Sequence, residues 1–340
     1  MFTIMTTIWE ERQDARPLLT KRITQTPQGW SKADYDEAYL YDAIVETDTH
    51  DLAGLVDLLR ELEGDPHSCL IRGEPIAATR SIRRALRDDP KRGAATIRPV
   101  DGGQPWVMLD MDKHPVASLG FTTNQQRLDY LVSQLPACFQ EVSYYYQWSS
   151  SAGLDNWQTL SAHFWFWLDR PWNCRDLYER FHSGDFKDNG VDYSPFTPNQ
   201  PHYTAFPIFT NCADPLGADR AGLVIKPLVE ATLPPFIRVI PPKPEFTATE
   251  HHRRFPFTRF EALLNDIGPG YHHEVRRAIA HYVSVVRPHE YDRYDLVRRV
   301  QDAIMMAPAG KNRKADYSND RYLNRLIDGA ERKYRWGVSF

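Results

Sequence analysis

Trp106-Val107-Met108-Leu109-Asp110-Met111-Asp112 is the stretch whose reading decides the fold. A short apolar run that ends in aspartates at alternate positions describes a buried strand reaching a charged rim. Side chains two apart share a face, so Trp106, Met108, Asp110 and Asp112 line one side and Val107, Leu109 and Met111 the other. Carboxylates about 7 Å apart along one face, from a rise of about 3.3 Å per residue, repel each other. Burying either one unpaired is costly. A divalent cation answers both problems, because Mg²⁺ and Mn²⁺ favour carboxylate and water oxygens. The ordinary alternative is a pair of solvated aspartates at a strand exit, and Asp-x-Asp alone does not choose between the two.

Outward from that strand the chain alternates short strands and helices. Asp34 to Glu46 reads as a strand. Leu52, Leu55, Val56, Leu58, Leu59 and Leu62 repeat at helical spacing, closed by Gly64-Asp65-Pro66. Cys69-Leu70-Ile71 is a short apolar strand, and Thr79 to Arg92 a basic helix or loop. Gln125 to Leu135 reads as helix, Val142 to Trp148 as an aromatic strand, and Ser149-Ser150-Ser151-Ala152-Gly153 as a polar turn. Ser161 to Leu168 is a second buried strand, Leu177 to Phe181 a helix, and Tyr203 to Phe209 and Ile237 to Ile240 are strands. Pro241-Pro242-Lys243-Pro244 is the best linker signal. Beyond it Phe260 to Leu264, Val275 to Val285, Leu296 to Met305 and Tyr322 to Arg332 are helical. The expected fold class is α+β, with domains at 1–245 and 246–340, the second all-helical.

A chain of 340 residues with 42% hydrophobic and 25% charged residues has the composition of a globular protein with a substantial core. No apolar run approaches the roughly 20 residues that span a bilayer, and the N-terminus does not read as a secretory signal. The four cysteines are widely spaced with no Cys-x-x-Cys pair, which argues against a zinc module or a disulfide framework and favours a reducing cytoplasm. The net charge of −4 conceals segregation. Arginines 72, 80, 83, 84 and 87 crowd the segment before the aspartate strand, and a second basic run occupies the helical tail. Such runs mark a polyanion-binding face or plain solvated surface.

On the second strand Ser161, His163, Trp165 and Trp167 share a face, so a hydroxyl and an imidazole point the same way. A lone histidine there is more often a satisfied core residue, but the hydroxyl two positions earlier makes an anion site more plausible. A third carboxylate, Asp192, follows Gly190-Val191 and precedes Tyr193-Ser194-Pro195; singly it reads as a turn cap.

Together these residues resemble the archaeo-eukaryotic primase superfamily, in its phage and plasmid primase-polymerase branch. That family carries an Asp-x-Asp strand, a Ser-x-His strand and then a single acidic residue, in the order Asp110-Met111-Asp112, Ser161-Ala162-His163 and Asp192. The serine turn and Gln200-Pro201-His202-Tyr203-Thr204-Ala205-Phe206-Pro207 are similar too. The likeness covers roughly residues 30 to 240 and is looser in the helical tail. Two departures stand out: no zinc-binding cluster is present, and Leu154 to Leu160 lengthens the loop before the histidine strand.

The resemblance implies a primase-like catalytic domain and a DNA primase-polymerase, working in phage or plasmid DNA replication. Asp110, Asp112 and Asp192 would be catalytic and hold two Mg²⁺ or Mn²⁺ ions. Ser149, Ser151, Ser161, His163, Arg72 and Tyr203 would bind the nucleotide, and Arg80, Arg83, Arg84 and Arg87 the nucleic acid. The implied partners are a single-stranded DNA template, nucleoside triphosphates and, since no P-loop motif is present, a replicative helicase. The expected location is cytoplasmic with no membrane association. Two rival readings stay open: a non-catalytic replication initiator that binds origin DNA, and a metal-dependent nuclease.

Overall fold

Apolar side chains on both faces of the aspartate strand force it into the interior. Val107, Leu109 and Met111 enter one core with Phe139, Tyr144, Phe164 and Phe166. Trp106 and Met108 enter another with Phe2, Trp165, Trp167 and the leucines of the helix Leu52–Glu63. The computed structural model describes residues 1–9, 15–89, 92–186, 190–235, 256–268, 270–286, 290–308 and 314–334. Within them the chain divides into two compact units, 1–238 and 239–340. The first is α+β and the second helical.

The first unit is built on a central sheet whose neighbours run Val191–Asp192, Gln104–Pro115, Thr159–Trp172, Tyr144–Trp148 and Ala221–Val224, all antiparallel. Glu230–Ala231 joins the histidine strand in parallel at Trp167 and Leu168. One face is covered by the helices Asn124–Gln134 and Cys174–Phe181, which contribute Leu128, Leu131, Leu177 and Phe181. The first of these is fixed by a reciprocal cap between Thr123 and Gln126. The other face receives the helix Leu52–Glu63, capped at Asp51, together with Phe2 and Leu70. Those two residues belong to a second antiparallel sheet, ordered His202–Tyr203, Ser68–Ile71, Phe2–Thr7 and Tyr41–Glu46.

The structure corrects two expectations and decides one alternative. The strand expected at 34–46 begins only at Tyr41. Upstream of it, Asp36 accepts from the Leu18 amide at 2.9 Å and pairs with Arg22 at 2.7 Å, so that segment is pinned by a side chain instead of a ladder. The basic stretch 79–89 forms no helix: Ser81 takes a positive φ and its amide donates to Asp42. The strand expected over 203–209 is two pieces, His202–Tyr203 and Ile208–Thr210, in different sheets. The Pro241–Pro244 linker and the strand expected at 237–240 lie outside the described residues.

In the second unit, Pro256–Asn265, His272–Val285, Arg293–Met306 and Asp320–Tyr334 bury Phe260, Ile279, Tyr282, Val300 and Ile327 among themselves. Arg293 ties two of these helices together, reaching Glu331 at 2.9 Å and Asp328 at 2.6 Å. No helix among the described residues is long and apolar enough to cross a membrane, and the four cysteines are free.

One glycine decides how the aspartate strand begins. Gly103 has φ +90°, and a Cβ there would come within 2.2 Å of the Trp172 carbonyl carbon. The obstacle is backbone, which cannot swing away. Gly103→Ala should therefore cost more than about 1 kcal/mol, read as a lower urea midpoint. An unchanged midpoint would show that the two strands separate there without penalty.

Candidate active site

The pairing of the two central strands lines up the polar residues of the sheet. Asp192 lies opposite Asp110, Asp110 opposite His163, and His163 opposite Gln147. Directly paired residues project to the same face, so four strands contribute one row of side chains. His163 Nε2 stands 3.7 Å from Asp110 Oδ1. Asp192 also accepts from the Ser194 amide at 2.9 Å and its hydroxyl at 2.7 Å, so it both caps its turn and stands in the row.

One step further the ladder is irregular. Leu160 pairs with His114 but Ala162 with Met111, leaving Asp112 and Lys113 together opposite Ser161. This is a β-bulge, and Lys113 takes φ +56° within it. Ser161 Oγ donates to Asp112 Oδ1 at 2.8 Å and accepts from the Lys113 amide at 2.8 Å. The Lys113 ammonium sits 3.3 Å from the other Asp112 oxygen.

Beside the row opens a small cleft, lined by Lys21, Tyr35, Ser149, Ser150, His163 and Tyr203 among others. Ser149 is set by its backbone: its amide donates to the Ser161 carbonyl at 3.0 Å, and its carbonyl accepts from Arg220 at 2.9 Å. Arg220 is fully buried and clasped by Asp214. The Ser149 hydroxyl is buried with no hydrogen-bond partner among the described residues. An unsatisfied buried hydroxyl in a cleft wall is what a polar ligand would meet. Tyr203 stacks on Tyr35, ring centres 3.9 Å apart. Burial pushes the Tyr203 phenol up to about 12, against Arg84. Burial, then Tyr203 and Asp110, push the Tyr35 phenol higher still, so both remain hydroxyls at neutral pH.

Other sequence-assigned residues stand elsewhere. Arg72 is fully buried, its guanidinium bonded to the carbonyls of Trp106 and Trp172 and lying over the Trp106 ring. The reading of Arg72 as a nucleotide ligand is therefore corrected: it braces the core. Ser151 is not part of the cleft lining. The arginine group is dispersed. Arg80 pairs with Asp42, Arg83 reaches the Gly93 and Ala94 carbonyls, and Arg84 bonds the Asn199 carbonyl over the Tyr41 ring. Arg87 is exposed.

Four residues of the site escaped sequence reading. Lys21 and Tyr35 come from a segment far from Asp110 in the chain, and no motif marks them. Gln147 is held by Glu63, Thr204 and Trp165, while burial raises the Glu63 carboxyl above its ordinary range. Arg220 could have been suspected only from an unusual burial that the sequence does not display.

Burial pushes the Asp110 carboxyl above the ordinary aspartate range; His163 opposes this, and the like charges of Asp192 and Asp112 reinforce it. Among the described residues no three His, Cys, Asp or Glu side chains converge on one point. The donor chemistry nonetheless fits a hard divalent ion, since carboxylates that repel one another are what such an ion neutralises. Comparison with known protein families, with curated proteins and with solved structures found no match.

The raised Asp110 pKa has a testable sign. The folded state holds this proton more tightly than the unfolded chain does. The group therefore favours folding in acid, and that contribution is lost as pH rises through the ordinary aspartate range of about 4 and beyond. Without divalent ions, Asp110→Asn should raise the melting temperature near pH 7, and the gain should vanish toward about pH 3. A variant less stable than wild type at neutral pH would show that Asp110 is satisfied by its neighbours.

Proposed function

We propose that this chain is a DNA primase-polymerase with an archaeo-eukaryotic primase-like catalytic unit, performing template-directed nucleotidyl transfer. The observation that carries the reading is the row Asp192, Asp110, His163, with Asp112 one step along and a polar cleft beside the imidazole. Sequence order alone does not require three separated motifs to meet on one sheet face. Their meeting on one face supports the reading.

Asp110, Asp112 and Asp192 would hold two Mg²⁺ or Mn²⁺ ions, which supply activation of the attacking 3′-hydroxyl and neutralisation of the leaving pyrophosphate. The chain's own work is positioning. Asp110, part-buried on a rigid strand, fixes the centre of the site. His163 and Ser149 line the cleft, where they would meet triphosphate oxygens, and Lys21 lines it as well. Tyr35 and Tyr203 form an aromatic surface suited to the sugar or base. A single-stranded template would supply the pairing that selects the nucleotide.

The decisive assay is extension of single-stranded templates, with and without a primer, in ribo- and deoxynucleotides. Asp112→Ala should abolish synthesis, by at least about a hundredfold, in a protein that stays folded. His163→Ala should weaken nucleotide binding more than template binding. Synthesis retained by Asp112→Ala refutes the assignment. Cleavage of labelled DNA without nucleotides would point to a nuclease instead.

A further inference from the structure

The Ser-x-His pair reads in sequence as one triphosphate-binding unit, yet the geometry separates its two members. His163 lines the cleft. Ser161 does not, and it is only 8% exposed. Both hydrogen bonds of its oxygen go to the aspartate strand, one to the Asp112 carboxylate and one from the Lys113 amide. A serine hydroxyl has a single proton to give. An ionised phosphate offers only acceptors, so Ser161 would have to withdraw its proton from Asp112 to bind one.

The bulge explains why that proton is where it is. Two residues of the aspartate strand share one place opposite Ser161, and Lys113 adopts a φ that non-glycine residues seldom take. Bulges re-aim side chains, and here the re-aimed side chain is Asp112. Its Oδ1 is anchored by the hydroxyl, while among the described residues Oδ2 meets the exposed Lys113 ammonium. One carboxylate oxygen is thereby fixed and the other left for exchange with a cation.

We infer that Ser161 is a positioning residue, whose hydroxyl holds the Asp112 carboxylate and the bulge that aims it, leaving the phosphates to His163 and the serine turn. This rests on the assignment of Asp112 as a metal ligand proposed above. Residues that orient metal ligands typically contribute 10–100-fold in metal affinity, which sets the expected effect.

The test is Mn²⁺ titration followed by electron paramagnetic resonance on wild type, Ser161→Ala and Ser161→Thr, with the nucleotide KM measured at saturating Mn²⁺. Ser161→Ala should bind Mn²⁺ about tenfold more weakly, with KM at saturating metal near the wild-type value, and Ser161→Thr should restore binding. Unchanged Mn²⁺ affinity in Ser161→Ala, or a KM that stays raised at saturating metal, overturns the inference while the proposed function stands. A wild-type chain that binds no Mn²⁺ overturns both. Should Ser161→Ala fail to fold, wild type decides by hydrogen exchange at the Lys113 amide. Protection that persists on adding a non-hydrolysable deoxynucleoside triphosphate with Mg²⁺ supports the inference; release of the amide overturns it.

Discussion

The register between Gln104–Pro115 and Thr159–Trp172 is the constraint on which everything else in the first unit depends. A slip of one residue would send Asp110 and His163 to opposite faces of the sheet. Both faces of these strands are apolar, so a simple in-or-out alternation cannot hold the register. Shape and polarity hold it instead. Trp106 pairs with Trp167 while Phe2 stacks on Trp106, ring centres 5.2 Å apart. Arg72 binds one carbonyl from each strand. A guanidinium with no access to water must keep such acceptors, because burying it unpaired is strongly unfavourable. An offset pairing would remove them together.

The same physics shows which parts of the fold were legible in the sequence. The helix Leu52–Glu63 was readable because its five leucines and one valine fall on one stripe and its cap and terminating glycine are local. The central strands were readable because their apolar runs are short and dense. The start of the strand at Tyr41 was not, because Asp36 makes its bonds to Leu18 and Arg22, partners that local patterning does not reveal. The helical alternative for 79–89 failed for a related reason: Asp42, from another strand, takes the Ser81 amide out of any helical ladder.

At the site, residue types were more legible than their duties. Asp110 and Asp112, and Ser161 and His163, stood out by spacing, Asp192 only through the family resemblance, and the strand pairings do gather them. Arg72 was misread because a lone arginine near a glycine carries no sign of whether it faces water. Lys21 and Tyr35 went unnoticed because a cleft wall is made by tertiary contact. Thr20 shows how that wall is tied: its hydroxyl donates to the Phe206 carbonyl at 2.8 Å, joining segments from opposite ends of the unit.

The three carboxylates are held with unequal firmness. Asp110 stands on a long strand with partners on both sides, whereas Asp192 belongs to a strand of only two residues at the sheet edge. Ahead of it, Gly190 takes φ +77° in a place where a side chain would strike the His114 ring. Local opening of a structure begins where the fewest bonds must break. The edge carboxylate is thus the member of the row whose strand has the fewest ladder bonds to break, and Val191 beside it, buried in the core, is what ties that short strand down.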